Sequence, residues 1–396
     1  MFTPGKYAIK SISKQGFRSL IFFLLVFLSS ACLYGVGFFI QNMQTGIEQV
    51  DKRIGADMIA VPSAYSDSAK DALFAGEACT IFFRDDPSGK IAQLNGIANV
   101  SSQLYLETLS FDCCAAGGVQ IIAFDPETDF TVSECISGED IRKLSADEII
   151  AGYSSGMKKG SSVVFFGKKF TVAYVLDETG MGYDQSVFVS YEAADKITSS
   201  PEYNYLFGER TDLSSMILIR ADEGYDTEQL KESIEILFDD VSVYTTDALV
   251  KSLNKQLDYY KAFGNIMGAF VVILAAVSLF ALVTITFYQR RSRVGSLLSV
   301  GICRSRIVKI FLLEYLYLTL LGTVSGAVFS AVIVLPLHNV IKQSMDLPYK
   351  FIGFGNMVLL FIAVLCVNIL ILLIACSVTL ANIIRTEPAI LTEEQL

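Results

Sequence analysis

Few side chains in this chain of 396 residues have the types and spacing that catalysis requires. A single histidine excludes a His-rich zinc site and the H-E-x-x-H pair of metalloproteases. The phosphate-binding pattern G-x-x-x-x-G-K-S/T does not occur, since the nearest string, GSSVVFFGKKF, has the wrong spacing. The sequence therefore predicts no enzyme and no cofactor of the chain's own, and any ATP would act on a partner subunit.

Thiols are the strongest remaining candidates for chemistry. Four of the eight cysteines fall in a long polar stretch: Cys79, Cys113, Cys114 and Cys135. Outside a cell thiols oxidise, and four cysteines allow three pairings that the sequence does not rank. We interpret them as structural disulfides or inert buried thiols. The alternative is a soft-metal, haem-related or redox-sensing thiol site, because thiolates select soft ligands.

The string DPETD places carboxylates at alternate positions, as calcium-binding loops do. Its acids are Asp125, Glu127 and Asp129, but Phe130 stands where such loops have glycine and Ile136 where they have the terminal glutamate. This pattern favours an ordinary acidic turn, and we predict no metal site apart from the alternative at the thiols.

Four apolar runs dominate the composition, which is 52% hydrophobic with a mean hydropathy of +0.48. Residues 19–40, 263–288, 310–336 and 351–380 are each long enough to cross a bilayer as a helix, which takes about 20 residues. The segment from Leu28 to Cys32 is similar to a lipoprotein cleavage site, but the apolar run continues to Ile40. We therefore predict four transmembrane helices rather than a cleaved signal peptide.

Charge is distributed unevenly around these runs. Residues 1–18 and 289–309 contain no acid, and their cations are Lys6, Lys10, Lys14, Arg18, Arg290, Arg291, Arg293, Arg304, Arg306 and Lys309. Cytoplasmic segments carry such an excess of lysine and arginine, so both termini are predicted inside and the large polar stretch outside the cell (plasma or inner) membrane. The chain's net charge of -10 disfavours nucleic acid as a partner.

The polar stretch has the patterns of an α+β domain. Residues 160–190 contain three β-rich runs separated by turns, MIAVP (58–62) and SMILIR (215–220) are predicted strands, and residues 226–240 have helical periodicity. Residues 42–57 are expected to continue the first span as a helix. Residues 247–266 are helical in period and enter the second span without a helix breaker, so one long helix is expected there.

The predicted fold is an integral membrane protein with four transmembrane helices and a large α+β extracytoplasmic domain between the first and second. The predicted segments are 1–41 (amphipathic helix and first span), 42–262 (outer domain), 263–288 (second span), 289–309 (cytoplasmic coupling loop), 310–336 (third span), 337–350 (short outer loop), 351–382 (fourth span) and 383–396 (cytoplasmic tail).

Polar and small residues within the spans predict helix packing. Gly264 and Gly268, and then Gly322, Gly326 and Ser330, have the small-xxx-small spacing that lets transmembrane helices approach closely. Asn368 is predicted to form an interhelical hydrogen bond, with a ligand contact as the alternative. The spans contain no ring of charges that would indicate a path for a polar solute.

The cationic segment and the helix after it resemble the permease subunits of MacB-type and FtsX-type ABC transporters, the mechanotransmission class. In that family, the segment between the second and third spans typically has the sequence Glu-Ile-Gly-x-Leu-Arg-Ala-Leu-Gly-Ala-Ser-Arg, followed by Ile and then by Phe-Leu-x-Glu. The matching residues are Val294, Gly295, Leu297, Val300, Gly301, Arg304, Ile307, Phe311, Leu312 and Glu314, and the departures are Arg293, Leu298, Ile302 and Cys303. KYAIKSISKQGFRSLIFF, GADMIAVPS, residues 146–190 and IIRTEPAIL also resemble the family, whereas residues 64–118 are particular to this chain.

The resemblance implies a set of partners and a role. The partners are a cytoplasmic ABC ATPase dimer, a second permease subunit, identical or different, and membrane lipid. The implied ATPase-coupling residues are Arg293, Gly295, Gly301, Arg304 and Glu314. The expected function is coupling of ATP hydrolysis to extracytoplasmic movements that export or extract a hydrophobic or membrane-associated ligand. The alternative is an FtsX-like regulator of an envelope enzyme or sensor, bound to an extracytoplasmic protein. A membrane-anchored thiol enzyme is disfavoured, because no C-x-x-C motif exists.

Overall fold

A computed structural model describes the backbone at residues 16–107, 119–136, 140–199, 214–299, 303–345 and 348–384. Side chains are described within these ranges except at 291–299, 304–305, 307, 337–345 and 378–384. The chain divides into a membrane unit (Met1–Gln41, Tyr259–His338 and Ile352–Leu396) and an outer unit (Asn42–Asp258 and Asn339–Phe351). Most of the predicted amphipathic helix and most of the predicted tail lie outside the described residues.

The described ranges contain eight α-helices. They are α1 (Gly16–Arg53), α2 (Ser66–Phe74), α3 (Ser88–Ile91), α4 (Tyr191–Thr198), α5 (Thr227–Leu237), α6 (Thr246–Ser299), α7 (Arg304–Met345) and α8 (Phe354–Ile384). Within the described residues, four segments are long and apolar enough to cross a membrane: Gly16–Arg53, Thr246–Arg290, Val308–Pro336 and Phe354–Ser377. The prediction of four spans is therefore confirmed. The predicted helical continuations after the first span and before the second are also confirmed, since α1 reaches Arg53 and α6 starts at Thr246.

The four long helices share one apolar core within the membrane unit, formed by Phe22, Val26, Leu279, Val283, Tyr315, Leu318, Ile371, Leu372 and Cys376. Glycines bring α1 and α7 into close contact. A Cβ added at Gly326 would lie 2.5 Å from the Phe27 carbonyl oxygen, and one at Gly322 would lie 2.9 Å from the Val26 side chain. On α6, a Cβ at Gly264 would lie 2.7 Å from Ile40. The packing role predicted for these glycines is confirmed.

Asn368 is fully buried in the membrane unit and links three helices. Its side-chain amide donates to the Ser30 hydroxyl of α1 at 2.9 Å and to the Thr323 hydroxyl of α7 at 3.3 Å. Its carbonyl oxygen accepts from the Ser29 hydroxyl at 3.5 Å. The predicted interhelical hydrogen bond is confirmed.

The outer unit is built on one mixed sheet of nine strands. They are β1 (Met58–Pro62), β2 (Ile97–Glu107), β3 (Gln120–Phe124), β4 (Glu148–Ala151), β5 (Ser162–Phe165), β6 (Lys168–Val175), β7 (Val187–Ser190), β8 (Met216–Ala221) and β9 (Val241–Thr245). Their order is β5-β6-β4-β7-β3-β2-β8-β1-β9, with β3–β7 and β4–β6 parallel and the other pairs antiparallel. The α+β outer domain predicted between the first two spans is confirmed.

Two apolar clusters lie side by side on one face of this sheet. One packs Ala193, Ala194 and Ile197 of α4 against β3, β4, β6 and β7. The other packs Leu230 and Ile234 of α5 against β1, β8 and β9. Helices of this length are marginal alone, so the burial of their apolar stripes on the sheet supplies most of their stability.

The sequence patterns missed the central strand β2. Its residues Ser101 and Gln103 break the apolar pattern, yet both are buried. The Ser101 hydroxyl donates to Asp129 at 2.9 Å and the Gln103 amide donates to Thr131 at 3.2 Å. Burial of these polar groups is tolerated because each has a partner. The structure also corrects the prediction of a loop at residues 289–309. Much of this segment is helical, because α6 continues through Ser299 and α7 begins at Arg304.

Candidate coupling site

At the membrane unit's end nearest the cationic segment, a buried ion pair joins α6 to α7. The Arg290 guanidinium donates two hydrogen bonds to the Glu314 carboxylate, each 2.9 Å long. The side chains are only 10% and 3% exposed. Two parallel bonds between a planar guanidinium and a carboxylate fix both distance and orientation, so this contact holds the two helices in one register.

Aromatic rings surround the pair. The Arg290 guanidinium lies over the Phe311 ring, 5.1 Å from its centroid. Phe311 in turn packs against Phe287 at 5.6 Å. These contacts exclude water from the guanidinium and add a cation–π attraction, which is strongest where the cation is desolvated. A carboxylate is the group that compensates such a buried charge.

Glu314 is the one predicted coupling residue whose side chain the structure describes. Arg293 and Gly295 lie on α6 and Arg304 is the first residue of α7, but their side chains are outside the described set. Gly301 lies outside the described residues altogether. The roles of these five residues in contacting an ATPase stay predictions.

Charge alone does not single out Arg290, because it is one of six cations in residues 289–309. A signal for the pair was present. Antiparallel helices joined by a short connection bring together residues equidistant from that connection, and Arg290 and Glu314 each lie twelve residues from position 302. Glu314 is also the first acid after the cations.

The outer unit joins the beginning of α6 to the end of α1. Strand β9 ends at Thr245 and α6 begins at the next residue. β9 pairs with β1, which starts five residues after α1 ends. The Thr246 amide donates to the Asp57 carbonyl at 2.9 Å, and the Thr246 hydroxyl donates to the Ala56 carbonyl at 2.5 Å. The two helices are thus tied together at neighbouring strands.

Arg220 of β8 fastens the short connection between α1 and β1. Its guanidinium donates to the Gly55 carbonyl at 2.7 Å and to the Glu134 carboxylate at 3.1 Å. It also lies 4.4 Å from the centroid of the Phe130 ring. The Asp57 carboxylate accepts from the Ala221 amide at 2.8 Å. These bonds hold the connection firmly against the sheet.

The described cysteines of the outer unit are free thiols. Burial, followed by the nearby Glu107, Asp71 and Glu77 carboxylates, raises the pKa of Cys79 to about 11. Burial raises the pKa of Cys135 to about 12. A thiol protonated at neutral pH is a poor nucleophile and a poor metal ligand. Cys113 and Cys114 lie outside the described residues, so the thiol-site alternative stays a prediction.

In the acidic turn, the Asp125 and Asp129 carboxylates accept hydrogen bonds from the protein's own groups. Asp129 is buried and accepts from Ser101 Oγ at 2.9 Å, Thr131 Oγ1 at 3.0 Å and Val132 N at 2.6 Å. Asp125 accepts from the Glu127 amide at 3.0 Å. Among the residues whose positions are described, no group of three or more histidines, cysteines or acids could hold a metal ion.

The helices and the inserted α+β sheet define a multi-pass membrane protein with one large domain beyond the bilayer core. Residues 19–237, more than half of the chain, match the MacB-like periplasmic core domain family, and residues 265–386 match the FtsX-like permease C-terminal family. The chain belongs to the MacB/FtsX family of ABC transporter permeases, as its sequence predicted.

Two individual proteins are also similar to this chain. An uncharacterized ABC transporter permease of Methanocaldococcus jannaschii is 25% identical over 180 residues, which cover 43% of this chain and 42% of that relative. The match therefore spans less than half of the relative's length. The crystal structure of the periplasmic region of MacB from Actinobacillus actinomycetemcomitans matches 51% of this chain and 95% of its own, with a TM-score of 0.34 and 11% identity.

Proposed function

We propose that this chain is the permease subunit of an ABC transporter that couples ATP hydrolysis on a separate ATPase to movement of its outer unit. The movement exports or extracts a hydrophobic or membrane-associated ligand from the outer side of the membrane, so that no polar solute has to cross the bilayer through the helices. The cationic segment 289–309 is the cytoplasmic contact with the ATPase, and the termini are cytoplasmic.

The continuity of α6 carries this proposal. It is one helix of 54 residues, from the residue after strand β9 to the cationic segment. At 1.5 Å per residue it is about 80 Å long. A displacement applied at its cytoplasmic end would reach the sheet without a hinge. Two features support the same role: the Arg290–Glu314 pair would carry the displacement into α7, and the bonds at Thr246 would carry it into β1 and the end of α1.

Lowering the helical stability of α6 tests the proposal directly. Lys255, Asp258 and Tyr259 are exposed on α6. Replacing all three with glycine weakens the helix by about 1 kcal/mol per position relative to alanine, and the alanine triple variant is the matched control. Both are reconstituted in nanodiscs with the ABC ATPase that copurifies with the chain. The reporter is an environment-sensitive fluorescent amino acid at Tyr153, which is 55% exposed in the outer unit.

We expect the glycine variant to hydrolyse ATP at the parent rate but to lose the ATP-dependent change in emission, and the alanine variant to retain both. An ATPase rate that is the same with and without this chain would overturn the proposal. So would a glycine variant whose emission change equals that of the parent.

A further inference from the structure

Residues 348–351, here called the outer connector, lie between α7 and α8 in sequence and belong to the outer unit. They are bonded to the part of α1 that lies in the same unit. The Asn42 side-chain amide donates to the Tyr349 hydroxyl at 2.8 Å, and the Lys350 backbone amide donates to the Asn42 carbonyl at 3.2 Å. Tyr349 is only 2% exposed and Asn42 is fully buried, so these bonds are shielded from water.

A glycine in α1 makes this contact close. A Cβ added at Gly46 would lie 2.4 Å from the Pro348 carbonyl oxygen and 2.7 Å from the Tyr349 nitrogen. Both atoms belong to backbone, which cannot turn aside as a side chain can. Glycine inside a helix is unfavourable relative to alanine. The packing of backbone on backbone at this position is therefore the physical reason for glycine here.

A loop of the outer unit holds the other side of the outer connector. The Gly180 carbonyl accepts from the Tyr349 backbone amide at 3.2 Å, and the Glu178 carbonyl accepts from the Lys350 ammonium at 3.4 Å. This loop is itself fixed by the buried Asp184 carboxylate, which accepts from the Thr179 and Gly180 amides at 2.8 Å each. The outer connector thus lies between two rigid elements.

We propose that the outer connector is a permanent mechanical joint, which holds the chain between α7 and α8 on α1 and on the Gly180 loop through the whole ATP cycle. Tyr349 and Gly46 are its positioning residues. Through this joint α7 and α8 drive the outer unit together with α1 and α6. The inference rests on the proposed function, to which it adds a second route for the displacement.

A reversible cross-link tests permanence. An ideal Cβ at Gly180 lies 3.5 Å from the Lys350 Cβ, within the range of disulfides. Gly180 has a φ of +77°, where a side chain is strained, so Gly180→Ala is the control for the substitution itself. Gly180→Cys with Lys350→Cys, with the native cysteines replaced by serine, should oxidise in the resting protein. We expect the oxidised complex to keep the parent's ATPase rate and ATP-dependent emission change of the Tyr153 reporter. Loss of the emission change on oxidation, with recovery in dithiothreitol, would mean that the contact between the outer connector and the Gly180 loop opens during the ATP cycle. That result would refute the proposal of a permanent joint.

Gly46→Ala tests transmission, and Gly355→Ala is its control, because a Cβ at Gly355 meets nothing within 4 Å. Alanine favours the helix at both positions, so a defect confined to Gly46→Ala reports displacement of the outer connector. We expect that variant to hydrolyse ATP normally, with the equilibrium between outer-unit positions shifted by about 2- to 30-fold. An emission change equal to that of Gly355→Ala refutes transmission through the joint.

The two proposals fail in different ways. If the parent complex gives no emission change with ATP, the proposed function is wrong. The cross-link also separates them, because its rate of formation needs no ATPase. Failure of Gly180→Cys with Lys350→Cys to cross-link in a protein as stable as the Gly180→Ala control would refute the joint alone.

Discussion

Removing Glu314 should damage the membrane unit more than removing any exposed acid. The Arg290 guanidinium is 10% exposed and donates two hydrogen bonds to Glu314 at 2.9 Å. Glu314→Gln leaves that charge buried with one neutral acceptor in place of a carboxylate. Breaking a buried pair by changing one partner costs about 3–5 kcal/mol, which is a factor of roughly 100 to 5,000 in the folding equilibrium. Arg290→Met should cost a similar amount, because it leaves the carboxylate buried.

The informative comparison is the double variant Arg290→Met with Glu314→Leu. Replacing a buried ion pair by apolar residues of similar volume is often neutral or stabilising, so this variant should be more stable than either single variant. Unfolding by denaturant in detergent micelles measures all four proteins. If the two single losses simply add in the double variant, the side chains act independently and the reasoning from the ion pair is refuted.

The same double variant separates stability from coupling. An apolar contact can restore packing, but it lacks the two directional bonds that set the register of α6 against α7. We therefore expect a stable complex that hydrolyses ATP with a diminished ATP-dependent emission change of the Tyr153 reporter. A double variant with the full emission change would mean that the pair is structural only.

Three further predictions concern side chains elsewhere. Asn368→Leu should lower stability in nanodiscs by about 1 kcal/mol through loss of its interhelical bonds, whereas Ser325→Ala, whose hydroxyl bonds only within α7, should have less effect. Gly326→Ala should destabilise, because its Cβ would lie 2.5 Å from a carbonyl oxygen, while Gly268→Ala, with its nearest contact at 3.6 Å, should stabilise; equal shifts would contradict the packing argument. Cys79, with a pKa of about 11 against an ordinary 9.0, should be alkylated about 100-fold more slowly than an ordinary thiol at pH 8. Its rate should rise about ninefold between pH 9 and pH 10, whereas the rate of an ordinary thiol rises less than about twofold. A rise of less than about twofold would contradict the raised pKa.

The sequence predicted well those features that depend on local pattern. The four spans follow from uninterrupted apolar runs, and the length of α6 follows from helical periodicity that enters the second span without a proline, although Gly264 and Gly268 lie there. Gly326 and Asn368 were identified because small and amide side chains have few roles in hydrocarbon. In each case the physical constraint acts within one segment, so the segment alone reveals it.

Features that depend on residues far apart in sequence were less accessible. Strand β2 has buried polar residues, and their partners outside the strand, Asp129 for Ser101 and Thr131 for Gln103, make that burial tolerable. Arg290 has the same type as five neighbouring cations, and what distinguishes it is a carboxylate on the next helix. The outer connector required residues from α1 and from a loop more than 130 positions later along the chain. No local pattern encodes such contacts.

The contacts described in each unit favour movement of whole helices over bending within them. In the membrane unit, α1 meets α7 at backbone distance through Gly326, α8 is bonded to both through Asn368, and α6 is paired with α7 through Arg290. Each contact requires one arrangement of two helices, so bending any one helix would break a buried bond or open a gap against a neighbour. A displacement of the four helices as a block leaves all three contacts intact. Such a block is the input that a permanent joint at the outer connector needs, because a joint transmits displacement only if the helices that reach it do not deform first.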